Sequence, residues 1–356
     1  MRIGFLWTGL SGYLNACLKE LAGREGVELF VSHRAPTINA PFDETQFTWM
    51  KTRLMWHGYS ELNGLEKRLR DFNPDVLVFA GWEVPAYRRA AKAAAGRCLR
   101  IMTMDNCWLA TPKQRLATWV SPYYLRPLAD AVWLPGERQA VFARKLGFGQ
   151  RAILRGLYCC DRRGFESSHM LRVSEGRPVP RSFLFVGRFV HDKGIDTLVK
   201  AYESYRAQFP NPWPLICCGA GPLQYRLEGR PGIQVEGFLQ PEALKSKLAS
   251  AGCLVLPSLF EPWAVVVHEA CSAGLLILAS ENVGAGVHLV QDNYNGYLFG
   301  GNDARGLAAL MGRVSVLTDA RLDRMSRGSH SLSQQFSPER WADTLMDAAG
   351  LRPGDS

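Results

Sequence analysis

Short apolar runs alternate with helix-spaced apolar residues along this chain, and the alternation happens twice. Arg2–Trp7, Val27–Val31, Val76–Ala80 and Cys98–Met104 are short and mostly apolar. That is the pattern of strands covered on both faces. Helical spacing falls between them: about Tyr13–Leu21, then Leu62, Leu65, Leu69 and Phe72, then about Pro85–Ala95. Strands alternating with helices predict parallel sheets built from crossover connections. The pattern runs to about Leu157 and restarts at Phe183–Val186. A helix near Ile195–Phe209 follows, with strands at Leu215–Cys218, Ile233–Glu236, Leu254–Pro257 and Leu275–Ala279. Residues 161–182, between the two halves, are polar and aperiodic, the composition of a linker. The expected domains are residues 1–165 and 183–335, joined by a linker over 166–182. Ser337-Pro338-Glu339 predicts the start of a last helix through about Ala349. That terminal segment, 336–356, is expected to pack back on the first domain.

Composition enters through charge. Residues 1–165 carry 24 Lys and Arg against 14 Asp and Glu, whereas residues 166–356 carry 18 against 19. The whole basic excess therefore sits in the first half, which suits an anionic partner. Nucleic acid is not favoured, because no helical, zinc or aromatic-sheet binding motif accompanies the charge. Nine cysteines form no C-x-x-C pair and seven histidines are scattered, so disulfide frameworks and metal clusters are not expected. Buried thiols in a reducing compartment fit best, and the expected location is cytoplasmic, with peripheral contact on the inner face of the membrane. No apolar run approaches the ~20 residues of a membrane-spanning helix. Leu14-Asn15-Ala16-Cys17 faintly resembles a lipoprotein cleavage site, but Gly4, Gly9 and Gly12 interrupt the preceding stretch. Strand, loop and helix read better there than a signal peptide.

Residue types that carry chemistry concentrate in the second half. In Leu254–Leu276 a strand ends at Pro257-Ser258, a loop carries Glu261, and Pro262 is expected to open a helix bearing Glu269. A helix N-terminus at the end of a parallel strand suits a phosphate. Two carboxylates at different depths suit sugar hydroxyls. Taken singly, the plainer role is favoured for each: Glu261 favouring the helix N-terminus electrostatically, Glu269 as a solvated helix residue. In Phe183–Leu198, Gly187 allows close approach of backbone, and Arg188 and Lys193 place two cations beside the same sheet edge. Two such cations suit a diphosphate, although Arg188 alone would serve equally as an ion-pair partner of Asp192. At the end of Cys98–Met104, Asp105 suits two roles: an acceptor-hydroxyl base or orienter, with Trp108 as a stacking surface, or an Asx-type turn. Aromatic–cationic stretches at Phe47–Tyr59 and Trp119–Arg126 suit an anionic membrane interface, a lipid diphosphate acceptor, or core rings with solvated charges.

The ordered set GR-x4-KG (187–194), CCGAGP (217–222), VEGF (235–238), PS-x2-EPW-x5-EA (257–270) and YNGYLF (294–299) resembles retaining glycosyltransferases of family 4. The EPW form of the loop resembles bacterial enzymes of cell-surface polysaccharide and lipopolysaccharide assembly. The resemblance implies an α/β GT-B fold: two tandem Rossmann-like domains whose parallel sheets face a central cleft. It implies transfer of a hexose-type sugar from a UDP- or GDP-sugar to a glycan or lipid-linked acceptor, with no cofactor and no metal. By the same resemblance Arg188 and Lys193 hold the donor diphosphate, Glu261 contacts the donor sugar and Glu269 binds the ribose. Pro262-Trp263-Ala264 presents backbone N–H groups, although the family usually has Gly where Ala264 stands. His268 stands where Asn is common. Gly9 and Gly12 match the first-domain phosphate loop without its usual adjacent glycines. No nucleophile is implied. A non-catalytic nucleotide-sugar-binding subunit or degenerate transferase is the alternative. A dinucleotide-dependent oxidoreductase needs G-x-G-x-x-G after a strand, and Gly219-Ala220-Gly221 does not continue that way.

Overall fold

The computed structural model describes residues 1–37 and 41–350. They form two units, one of Met1–Cys159 with the segment from Ser337 onward, the other of Cys160–Phe336. The last six residues of the expected terminal segment lie outside the described residues.

The first unit is built on seven strands: β1 (Arg2–Trp7), β2 (Glu28–Arg34), β3 (Thr52–Trp56), β4 (Val76–Ala80), β5 (Leu99–Thr103), β6 (Ala131–Trp133) and β7 (Ile153–Leu154). Their order is β3-β2-β1-β4-β5-β6-β7, and every pairing is parallel, with Ile3 opposite Leu29 on one side and Val76 on the other. Parallel strands need crossovers, supplied mainly by α1 (Gly12–Ala22), α2 (Leu65–Phe72), α3 (Pro85–Ala93), α4 (Pro112–Tyr124) and α5 (Glu137–Lys145). Ile3, Phe5, Val76, Val78 and Ile101 are fully buried, which is why these runs lack polar alternation. The chain runs outward in one direction from β1 and in the other from β4. That change of direction opens a crevice at the carboxyl ends of β1 and β4.

The second unit repeats the scheme. α6 (Arg162–Ser174) leads into β8 (Phe183–Val186), α7 (Ile195–Gln208), β9 (Leu215–Cys218), β10 (Ile233–Glu236), α8 (Pro241–Ala249) and β11 (Cys253–Leu256). Then come α9 (Val265–Ser272), β12 (Leu276–Ser280), α10 (Gly286–Leu289), β13 (Gly296–Phe299), α11 (Ala304–Ser315) and α12 (Asp319–Ser333). The sheet order is β10-β9-β8-β11-β12-β13, all parallel, so the change of direction falls between β8 and β11. The chain then returns to the first unit as α13 (Pro338–Ala348), N-capped by the Ser337 hydroxyl accepting from the Arg340 amide. Trp341 is buried there against Trp133 and Phe5, and its indole N–H donates to the Leu157 carbonyl at 2.9 Å.

The expected linker over 166–182 is a correction. The boundary falls between Cys159 and Cys160, and the segment is helical over Arg162–Ser174, inside the second unit. Its buried positions, Phe165, His169 and Arg172, have helical spacing, but two of the three side chains are polar. They are satisfied internally: the Arg172 guanidinium donates to Ser326, to Asp323 and to the Arg177 carbonyl, and His169 stacks on His330 at 4.7 Å. Read as hydrophobicity, the helix disappears.

Candidate functional site

In the second unit the predicted site residues converge on the carboxyl ends of β8 and β11. The loop after β8 carries Gly187 and Arg188; the loop after β11 carries Glu261. Gly194 holds φ at +71°, and a Cβ there would lie 2.0 Å from the Pro257 carbonyl oxygen. Only glycine lets the two loops touch in this way. The Leu259 and Phe260 amides donate to the Asp192 carbonyl, tying the loops together. This clamp sets the Lys193 ammonium directly against the Glu261 carboxylate, an ion pair that is mostly covered from solvent. The glycine-rich loop after β9 closes the other side. A Cβ on Gly219 would meet the Gly187 carbonyl oxygen at 2.0 Å, and the Phe189 amide donates to the Ala220 carbonyl. Arg188 is exposed, and its guanidinium makes no ion pair among the described residues; Asp192 does not take it.

Behind Glu261 the backbone is pinned to the 283–285 segment. The Gly284 amide donates to the Glu261 carbonyl and the Ala285 amide to the Trp263 carbonyl. Pro262 does not open the helix, which is a second correction. α9 begins at Val265, and Ala264 caps it at φ +75°. That is the left-handed region glycine would occupy, so the loop keeps a glycine's path with an alanine in place. The Trp263 and Ala264 amides donate to no group among the described residues, and they stand beside the positive end of α9. The Trp263 ring packs inward against His288 and Phe336, so only its backbone belongs to the site. Ser258, at the foot of the same loop, is fully buried with its hydroxyl unpartnered among the described residues.

Glu269 is the fifth residue of α9, little more than one turn in. Its half-buried carboxyl makes no hydrogen bond or ion pair among the described residues. Burial, with Asp161 nearby, pushes its pKa up to about 7, while Lys245 draws it down. Lys245 is paired with Asp161 at 3.0 Å. Sequence reasoning missed both, because they come from α8 and the N-cap of α6. His268, the next residue back on α9, is structural. It is buried, accepts from the Cys160 amide at Nδ1 and donates to the Ser333 carbonyl from Nε2, and burial lowers its pKa to about 4.

In the first unit, Gly9 lies on the loop after β1, Gly12 stands where that loop meets α1, and Asp105 follows β5, on the carboxyl edge of one sheet. A Cβ on Gly9 would meet nothing, and Gly12 opens α1. The Asp105 carboxylate accepts from the Tyr158 hydroxyl at 3.2 Å, and Tyr158 packs edge-on to Tyr13. Burial, with Asp105 nearby, holds the Tyr13 hydroxyl protonated well above the usual tyrosine range. Neither tyrosine carried a sequence signal beyond its neighbour. Trp108 is half-buried on Phe142 with Lys145 over its ring, the anchored arrangement. The Phe47–Tyr59 stretch is divided: Phe47 and Trp56 are buried, with Trp56 donating to the Tyr87 hydroxyl, Trp49 is partly covered and Tyr59 is exposed.

The sequence model of the family described as Glycosyl transferases group 1 matches residues 172–327, the part that carries this loop cluster. Glycogen synthase of Mycobacterium tuberculosis is 30% identical over 322 residues, covering 84% of this chain and 76% of that protein. The chain belongs to the group 1 glycosyltransferases. A glycosyltransferase of Methanocaldococcus jannaschii is 31% identical over 127 residues, 33% of this chain and 31% of that relative. The matched segment thus spans about a third of that protein's length. Among solved structures, Anabaena HepE in complex with UDP superposes with a TM-score of 0.73 at 16% identity, covering 98% of this chain and 99% of that one. Sucrose-phosphate synthase of Thermosynechococcus elongatus gives 0.72 at 18% identity, with 98% coverage of both. The two α/β units with parallel sheets therefore have the GT-B fold.

Proposed function

We propose that this group 1 glycosyltransferase is a retaining enzyme of the family 4 kind. It would move a hexose-type sugar from a nucleotide-diphosphate sugar, UDP- or GDP-linked, to a glycan or lipid-linked glycan acceptor in cell-surface polysaccharide synthesis. The observation that carries the reading is the clamped Lys193–Glu261 pair beside the open amides of Trp263 and Ala264. The cation and the helix N-terminus take the diphosphate, whose charge grows as the bond to the anomeric carbon breaks. Glu261, freed from Lys193 by the incoming phosphate, accepts from donor sugar hydroxyls, and Arg188 adds the second cation. Glu269 accepts from the ribose hydroxyls. Gly187, Gly9 and Gly12 give the phosphates close backbone approach. Asp105, oriented by Tyr158, holds the acceptor hydroxyl. The acceptor oxygen takes the place of the diphosphate oxygen at the anomeric carbon with configuration kept, its proton passing to the departing diphosphate, and binding energy is spent on alignment.

Supporting facts come from other proteins: HepE has been solved with UDP-glucose, and a relative in Campylobacter jejuni is named for transfer to an undecaprenol-linked glycan. The chemistry as drawn needs no metal: Lys193, Arg188 and the open amides would meet the diphosphate charge. The basic first half would meet an anionic membrane at its inner face. Among the described residues no helix is long and apolar enough to cross a membrane.

Lys193→Ala and Glu261→Gln should each cut turnover of the accepted nucleotide sugar by roughly 10²–10³-fold. Full activity in both overturns the reading. Nucleotide-sugar binding without turnover in the unaltered chain would favour the non-catalytic subunit.

A further inference from the structure

α4 is the least covered long helix of the first unit. It buries only Ser121 among its 13 residues, whereas the shorter α1, α3 and α5 bury five, four and four. Leu116, Trp119 and Tyr123 follow i, i+3, i+7 spacing and so form one stripe. They are 59%, 79% and 88% exposed. Leu109, on the loop leading into the helix, is 56% exposed. Single exposed apolar residues are ordinary, but a stripe of rings on one helix is not.

The charge around this helix is one-sided. Residues 84–158 carry 13 Lys and Arg against three Asp and Glu, whereas residues 1–83 carry nine against ten. The three acids are already engaged: Asp130 with Arg100, Glu137 with Arg155, and Asp105 with the Tyr158 hydroxyl. Lys113 and Arg115 are exposed in the first turn of α4, which has no acidic residue. Cations there oppose the helix dipole, so helix stability does not account for them.

We propose that the Leu116–Trp119–Tyr123 face of α4 seats on an anionic lipid bilayer. This rests on the membrane contact proposed above and assigns it to one helix. Leu116 and the rings of Trp119 and Tyr123 enter the boundary between headgroups and acyl chains, where an indole N–H and a phenol O–H still meet polar partners. Lys113 and Arg115 meet lipid phosphates. An extended anionic surface matches a one-signed field better than a protein partner with mixed charge.

The test is co-sedimentation of the full chain with phosphatidylcholine vesicles, with and without phosphatidylglycerol. The unaltered chain should bind the mixed vesicles and not the neutral ones. Trp119→Ser/Tyr123→Ser and Lys113→Gln/Arg115→Gln should each lower the bound fraction roughly tenfold. Val316→Ser, an exposed apolar residue of the second unit, should change nothing. Unaltered circular dichroism shows that the variants fold. Turnover of a nucleotide sugar without vesicles should survive in all three, which keeps this test separate from the transferase reading. Unchanged binding in both α4 variants overturns the assignment to α4 and leaves the membrane contact standing. No binding by the unaltered chain overturns both. Self-association in sedimentation velocity, lost in Trp119→Ser/Tyr123→Ser, gives the face to a second copy and overturns the lipid proposal.

Discussion

Ala264 holds φ at +75° with a methyl group where its loop has a glycine's shape. An L-residue there costs about 1–2 kcal/mol. Ala264→Gly removes that strain but adds roughly 0.5–1 kcal/mol of unfolded-state entropy. The net expectation is a stability gain of up to about 1 kcal/mol, or a few degrees in melting temperature, with turnover retained. A fall in melting temperature would place the backbone elsewhere. Glu269 gives a pH dependence. Its carboxyl titrates near 7 when folded and near 4.3 when unfolded, so between those values the folded state binds more protons. Its stability contribution is therefore fullest at low pH and is lost as pH rises through about 7. Glu269→Gln should flatten that part of the stability curve, a change on the order of 3–4 kcal/mol across the window, measured by urea unfolding from pH 4 to 8. Donor binding should run the opposite way in the unaltered chain. The ionised carboxylate is the stronger acceptor, so affinity rises with pH and the variant loses that rise.

At the scale of elements, the loops that build the site depend on contacts between them. Gly194→Ala would place a methyl group inside the Pro257 carbonyl and force a left-handed alanine at once. The expected cost exceeds about 2 kcal/mol, with loss of donor binding as Lys193 moves off Glu261. Thermal melting and calorimetry with the nucleotide sugar check both, and an unchanged melt would mean the loops do not touch there. Much of this level was legible: Val76–Ala80, Phe183–Val186, Leu215–Cys218 and Ile233–Glu236 are strands with the expected bounds. Each miss has its own cause. α6 presents histidine and arginine inward, so hydrophobic period does not register it. β3 hides in an aromatic–cationic stretch, of whose rings Phe47 and Trp56 are core. The start of α9 was misplaced because proline at a helix start is only a statistical preference, and here the chain first turns through Ala264.

At the scale of the molecule, the last helix of the chain supports its first sheet. Trp341 fills a space lined by Phe5 and Trp133, from strands β1 and β6. Trp341→Ala should destabilise the first unit by roughly 3–5 kcal/mol and leave the second unit's melting transition unchanged. A single shift shared by both transitions would contradict that assignment. The sheet orders decide more. β8 and β11 are neighbours although two strands and two helices intervene between them in the chain. That adjacency brings together loops that lie far apart in sequence.

The sequence by itself determined the period of each element, the doubling of the α/β pattern and the residue types offered at the strand ends, because these follow from local spacing and side-chain chemistry. Only the tertiary structure decided that Lys193 and Glu261, 68 residues apart, share an ion pair, that His268 is structural, and that one helix of the basic half leaves its rings exposed. Each of these depends on which partner a side chain meets across the fold. Partnership is set by strand order and loop contact, and neither is written in any short stretch of chain.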